Sequence, residues 1–194
     1  MTHADIALEQ QADGSPTYSV EQRGERFEIR RYPSYLVAEV TVPGPAESAS
    51  SAGFRLLAGY IFGGNTSSTK LAMTSPVTQR AEPVKLAMTA PVTQAKSDRG
   101  FLVQFIMPPG FTLATLPVPN DSRVTLRKVP AQRVAVRRYS GRWTQANYES
   151  NLADLRAVLG RAGIGTEGEP VLARYNAPYV LPFLRRNEIW LRLA

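Results

Sequence analysis

The chain has no cysteine in its 194 residues. Disulfides, zinc–thiolate sites and cysteine nucleophiles are therefore excluded. Histidine is almost as scarce: the single one, His3, stands in a polar N-terminal stretch. That leaves no Ser–His–Asp constellation and no multi-histidine metal site. No apolar run approaches the roughly 20 residues that a membrane-spanning helix needs. The opening residues 1–15 (MTHADIALEQQADGS) lack the basic start and apolar middle of a secretory leader, so a cytoplasmic protein is expected. Acidic side chains are outnumbered, 16 against 23 basic ones, for a net charge of +7. Three of those acids, Asp5, Glu9 and Asp13, stand in residues 1–16, which hold no Lys or Arg, so the body is more basic than the whole. Such a surface attracts anions. No basic block stands out, however, and the aromatics do not alternate with Lys or Arg as on a single-strand platform, so nucleic acid is not an expected partner.

What is present suits one ordinary core: 43% of residues are hydrophobic and 20% charged, which argues against disorder. Residues 1–16 read as a flexible acidic tail and residues 17–194 as a single domain.

The body repeats itself. Residues 27–44 (FEIRRYPSYLVAEVTVPG) align without gaps on residues 124–141 (VTLRKVPAQRVAVRRYSG), with Arg30 on Arg127, Pro33 on Pro130, Val37-Ala38 on Val134-Ala135 and Gly44 on Gly141. A helix follows each copy. Phe54, Leu57, Tyr60 and Ile61 then fall on Leu152, Leu155, Val158 and Leu159. The second helix has clear helical spacing and Thr144 as its N-cap. The first, about 46–62, is weakened by Ser48, Ser50, Ser51 and Gly53, and Gly63-Gly64 stops it. Each half closes on strands, ending in FLVQFIM (101–107) and EIWLRL (188–193). The pattern predicts an α+β fold made of a duplicated strand–helix–strand–strand unit, with halves at about 17–112 and 113–194. Two such units form one antiparallel sheet flanked by two helices, and the cleft between halves is a natural ligand site.

A shorter repeat is nearly verbatim. KLAMTSPVTQ (70–79) returns as KLAMTAPVTQ (85–94), and RAEPV between them suits a turn, so the two copies are expected to form a hairpin. The copies extend the sheet, line a pocket through Met73 and Met88, or do both. The stretch GGNTSSTK (63–70) lacks the Gly-Lys-Ser/Thr ending of a phosphate loop. Its Asn65-Thr66-Ser67 fits a glycosylation acceptor only in a secretory setting.

Four segments in order resemble the SOUL haem-binding family: FEIRRY (27–32), FRLLAGYIFGGN (54–65), KLAMTAPV (85–92) and ARYNAPYVLPFLRRNEIWL (173–191). The resemblance runs nearly end to end. It implies a distorted antiparallel β-barrel or curved sheet with two helices, an architecture shared with effector-binding domains of multidrug-responsive regulators. It also implies non-catalytic binding of haem or another tetrapyrrole as carrier, buffer or sensor.

By that resemblance the ligand lies between the first helix and the C-terminal loop. The helix offers Phe54, Leu57, Tyr60 and Ile61, or those residues are plain core. The loop offers Tyr175, Tyr179, Leu181 and Phe183 as a lid, or as a buried connection. Arg185 and Arg186 would meet propionates, or bond to Glu188. Met73 and Met88 complete the candidate set. With no histidine near the cleft, the tetrapyrrole is expected to be held non-covalently by packing and charge, without histidine ligation. Met73, Met88, Met107, Tyr60 and Tyr175 are the remaining candidates to ligate iron. Two other readings stay open: a general binder of apolar or cationic compounds, with Glu188 receiving the cation, and a hydrolase of a reactive apolar compound. No nucleophile–base pair supports the latter.

Overall fold

The computed structural model describes residues 17–67 and 83–194. Nine strands form one open antiparallel sheet, ordered β1-β2-β9-β11-β10-β5-β6-β3-β8. The strands are β1 Ser19–Gly24, β2 Phe27–Tyr32, β3 Tyr35–Val42, β5 Val92–Ser97, β6 Gly100–Ile106, β8 Thr125–Val129, β9 Gln132–Tyr139, β10 Thr166–Arg174 and β11 Asn187–Leu193. A two-residue pair, β4 Asn65–Thr66 with β7 Val118–Pro119, stands apart. The helices are α1 Ala46–Ile61 and α2 Gln145–Arg161. Of the expected barrel or sheet it is the sheet that forms, because β1 and β8 are edges and do not pair.

The aligned segments are each divided at their proline into two strands, β2–β3 and β8–β9. The unit therefore carries one strand more than the periodicity suggests. Leaving β1 aside, the order from β2 to β8 reads the same from either end once β2 is exchanged with β8, β9 with β3, β11 with β6 and β10 with β5. The first strand of each unit pairs not within its own half but with the other: β2 on β9 and β8 on β3.

Partners in a ladder share a face. The line Val40–Val103–Gln94–Leu172–Ile189 therefore sets both helices on one side. There α1 buries Leu57, Tyr60 and Ile61 against Ala38, Val40, Val103 and Phe105. On the same side α2 buries Leu155 and Leu159 against Ile29, Ala135, Ile189 and Leu191. The opposite face carries Tyr32, Val134, Val136, Ala173 and Trp190.

Local choices explain both helices. Gly53 weakens α1 by propensity but is a packing residue, since a Cβ there would stand 2.7 Å from Val103 Cβ. Gly63 adopts φ +117° past the helix end, and Gly64 N–H donates to Gly59 O at 2.8 Å. Asn65 then clamps the exit: its amide donates to Tyr60 O and Val84 O, and its oxygen accepts from Val84 N–H. A buried amide so committed is not a glycan acceptor. Thr144 caps α2, its side chain accepting from Asn147 N–H.

The second copy of the short repeat does not open as a strand. Residues 83–91 are irregular, and the ladder begins only at Val92. Leu86 N–H donates to Ile61 O, and Thr89 Oγ1 donates to Ile106 O, so the segment covers the end of α1 instead. The first copy, with Met73 and the expected hairpin, lies outside the described residues.

Candidate ligand-binding site

The C-terminal loop, residues 175–186, joins β10 to β11 and is rich in Pro and aromatics. Its prolines forbid a regular ladder. Tyr179, Leu181, Phe183 and Leu184 are 88%, 55%, 69% and 64% exposed. A free loop would collapse such groups onto one another or onto the sheet. This one is pinned. Arg185 donates from Nε to Val180 O at 2.8 Å and from Nη2 to Pro178 O at 2.7 Å. Gly141 N–H donates to Pro182 O, and Arg186 N–H donates to Asn176 Oδ1. A 3₁₀ turn, Pro182–Leu184, sets the last part. The loop is thus a platform fastened by its own arginine.

Trp143 ties this platform to α1. Its ring lies 4.4 Å from the Arg185 guanidinium and 4.9 Å from that of Arg174, and its Nε1 donates to Asn187 Oδ1. Arg174 in turn donates from Nη1 to Ser50 Oγ of α1 at 2.6 Å. Phe54 follows Ser50 by one turn on the same stripe; it is 39% exposed and meets Phe105 edge-on at 5.3 Å.

Neither Arg174 nor Arg185 pairs with a carboxylate among the described residues. The Arg174 Nε is buried without any partner. Burial holds this guanidinium below its ordinary range; Tyr139 and Glu47 offset the effect only in part, and Arg185 adds to it. Two cations that form no ion pair among the described residues therefore lie where the loop meets α1.

The other expected residues divide. Leu57, Tyr60 and Ile61 are fully buried in the α1 core, and the Tyr60 hydroxyl donates to Pro117 O at 2.9 Å. Burial pushes that phenol up to about 12. Met88 is 45% exposed, on the segment covering the end of α1. Tyr175 and Arg186 face the opposite side of the sheet, where they serve Glu188.

Glu188 is wholly buried, and its carboxylate is saturated. Oε1 accepts from Arg186 Nη2 at 2.8 Å and Nε at 3.0 Å, and from Arg30 Nη1 at 3.2 Å. Oε2 accepts from Trp190 Nε1 at 2.8 Å, Tyr175 OH at 2.9 Å and Arg30 Nη1 at 3.0 Å. Burial alone would raise its pKa, but Arg30, Arg186 and the indole N–H outweigh it and hold the carboxyl below the usual range. Tyr175 moves the other way: burial and the neighbouring carboxylate raise its phenol far above normal. Arg30 and Trp190 were not among the expected site residues. The sequence signal for Arg30 is an arginine on the second face of a strand whose two faces are both buried.

The exposed apolar side chains and the two cations have the chemistry that a flat macrocycle bearing carboxylates would need. An axial ligand is less well provided for. Tyr60 and Tyr175 have their hydroxyls committed, and Met107 is buried in the α1 core. His3 and Met73 lie outside the described residues, and Met88 remains. Among the described residues no group of three or more His, Cys, Asp or Glu could hold a metal ion, and no helix is long and apolar enough to cross a membrane.

Comparison with known proteins agrees with this architecture. The family model described as SOUL heme-binding protein matches residues 14–192. Heme-binding protein 1 of Xenopus laevis is 28% identical over 171 residues, covering 88% of this chain and 85% of that protein. Heme-binding protein 2 of Mus musculus is 29% identical over 189 residues, covering 96% and 87%. Among solved structures, the EcmrR C-terminal domain superposes with a TM-score of 0.61 at 12% identity, covering 87% of this chain and 96% of that one. A hydrolase from Listeria innocua gives 0.57 at 13% identity, covering 90% and 94%. At such identities these two structures speak to the fold alone.

Proposed function

Because the chain belongs to the SOUL heme-binding protein family, we propose that it binds haem or another tetrapyrrole non-covalently, as a carrier, buffer or sensor and without catalysis. One observation carries the placement of the site: four large apolar side chains, Tyr179, Leu181, Phe183 and Leu184, are displayed on a loop that Arg185 holds in place. Exposed apolar groups that cluster and are held rigid mark a binding surface, and holding them costs the ligand little ordering entropy. Phe54 and Met88 extend the apolar surface from the α1 side, and Leu57 and Ile61 support it from beneath. The propionates are taken by Arg174 and Arg185, neither of which forms an ion pair among the described residues. Arg186, expected for this task, is spent on Glu188.

Haemin titration followed by absorption tests the reading. A saturable one-to-one shift of the Soret band is expected, weakened by at least about tenfold in a Phe183→Ala/Tyr179→Ala variant. Metal-free protoporphyrin binds within about tenfold of haemin, because no strong iron ligand is offered. An unsaturable response, identical in the variant, refutes the proposal.

The cationic-compound reading is not favoured. Its receptor was to be Glu188, and that carboxylate already faces two guanidiniums and two further donors. The same saturation leaves it no lone pair with which to act as a general base for hydrolysis.

A further inference from the structure

We propose a second binding site, for a small multiply charged oxyanion, beside the β1–β2 hairpin tip, on the flank of the sheet end from which the C-terminal loop also leaves. It does not rest on the tetrapyrrole reading. The β2–β9 ladder stops at Glu28–Val136, whereas β9 continues alongside β11 as far as Tyr139. The β1–β2 hairpin tip therefore parts from β9 and opens a cleft of about 590 Å³. Among the described residues six arginines line it, Arg23, Arg26, Arg30, Arg137, Arg138 and Arg186, against one acid, Glu28.

Most of these cations are already arranged. Glu28 bridges Arg23 and Arg30, Glu188 bridges Arg30 and Arg186 from below, and Arg137 is held by Asn151 and Asp154 of α2. Among the described residues, counting these three acids, the lining keeps an excess of three positive charges. Arg30 and Arg137 are buried, at 4% and 7% exposure, so the inner wall is rigid. The side chains of Arg26 and Arg138 make no hydrogen bond or ion pair among the described residues and stand exposed at the mouth. Two free forks over a fixed cationic wall suit a ligand with two or more anionic groups, because each fork can take a bidentate pair of oxygens. The concave, bounded shape fits a diphosphate or a polycarboxylate rather than a polymer.

Calorimetric titration with pyrophosphate and, separately, with citrate at physiological ionic strength tests this on the full chain. One site per chain is expected for at least one of them, with a Kd below about 100 µM, and at least about tenfold weaker in an Arg26→Gln/Arg138→Gln variant. Both side chains are exposed and unpaired, so the variant is expected to melt with the unaltered chain. Arg138→Gln alone gives an intermediate loss should the double change disturb the hairpin. The preferred anion separates phosphate from carboxylate chemistry. Chain preloaded with haemin binds the anion unchanged, whereas competition would show that the cleft belongs to the tetrapyrrole site and would overturn the proposal. So would equal affinity in both variants, or binding of neither anion.

Discussion

Replacing Glu188 by glutamine separates a structural carboxylate from a ligand receptor. The side chain is wholly buried and accepts from Arg30, Arg186, Tyr175 and Trp190. Glutamine keeps the shape but removes the charge, and it turns an NH2 group toward donors that need an acceptor. Breaking a buried pair by removing one partner costs about 3–5 kcal/mol, since the other charge is left uncompensated. For a chain of this size each kcal/mol lowers Tm by about 2–4 °C, so a fall on the order of 10 °C is expected. Urea unfolding and thermal melting measure it. Acid provides a second check. The folded pKa of Glu188 lies below the ordinary 4.5. The stability this group contributes is present in full above that value and is lost as pH falls through the folded pKa. The variant should lack that part of the acid dependence. A loss below about 1 kcal/mol with an unaltered acid profile refutes the argument, because a buried charge pair cannot be removed so cheaply.

Other outcomes follow from the same structure. Leu57→Ala should cost about 2–5 kcal/mol of stability through a core cavity, whereas Phe183→Ala, exposed on the loop, should cost little in a urea melt yet weaken haemin. Arg174→Gln should weaken haemin more than a porphyrin lacking carboxylates, read by parallel absorption titrations. Arg185→Ala should release the loop, seen as faster hydrogen exchange across residues 177–184 and a shifted Trp143 emission. Tyr35, Tyr60 and Tyr139 are each pushed up to about 12 by burial. Ultraviolet titration should therefore find them protonated well above pH 10, with the stability they hold lost as pH rises through the folded values.

Much of this fold was legible because the duplication put two imperfect copies of one pattern side by side. The gapless match of residues 27–44 with 124–141 located one stretch of strand in each copy, although it did not reveal that Pro33 and Pro130 divide each stretch into two strands. Thr144 and the leucines of α2 announced a helix in the ordinary way. Gly53 misled: it lowers helix propensity, but the reason for it is the close approach of Val103, a contact from a distant strand. KLAMTAPV reads as a strand, yet its segment bonds to the ends of α1 and β6 and joins the ladder only at Val92. Local pattern cannot foresee which acceptor lies nearby.

The candidate site was legible in its chemistry and not in its pairings. Helical spacing identifies the stripe of Phe54, Leu57 and Ile61 but does not say whether a sheet or a ligand covers it; here the sheet takes Leu57 and Ile61 and leaves only the outer edge at Phe54. Arg185 and Arg186 are adjacent in sequence and so point to opposite sides, one clamping the loop and the other neutralising Glu188. The decisive partner of Glu188 is Arg30, 158 positions away, which reaches it across β9. That contact exists because β2 pairs with the other half's β9. It also bears on the proposed function: with Arg30 in place the buried acid is a spent charge, and the cations at Arg174 and Arg185 support the proposal of an acidic ligand over a basic one.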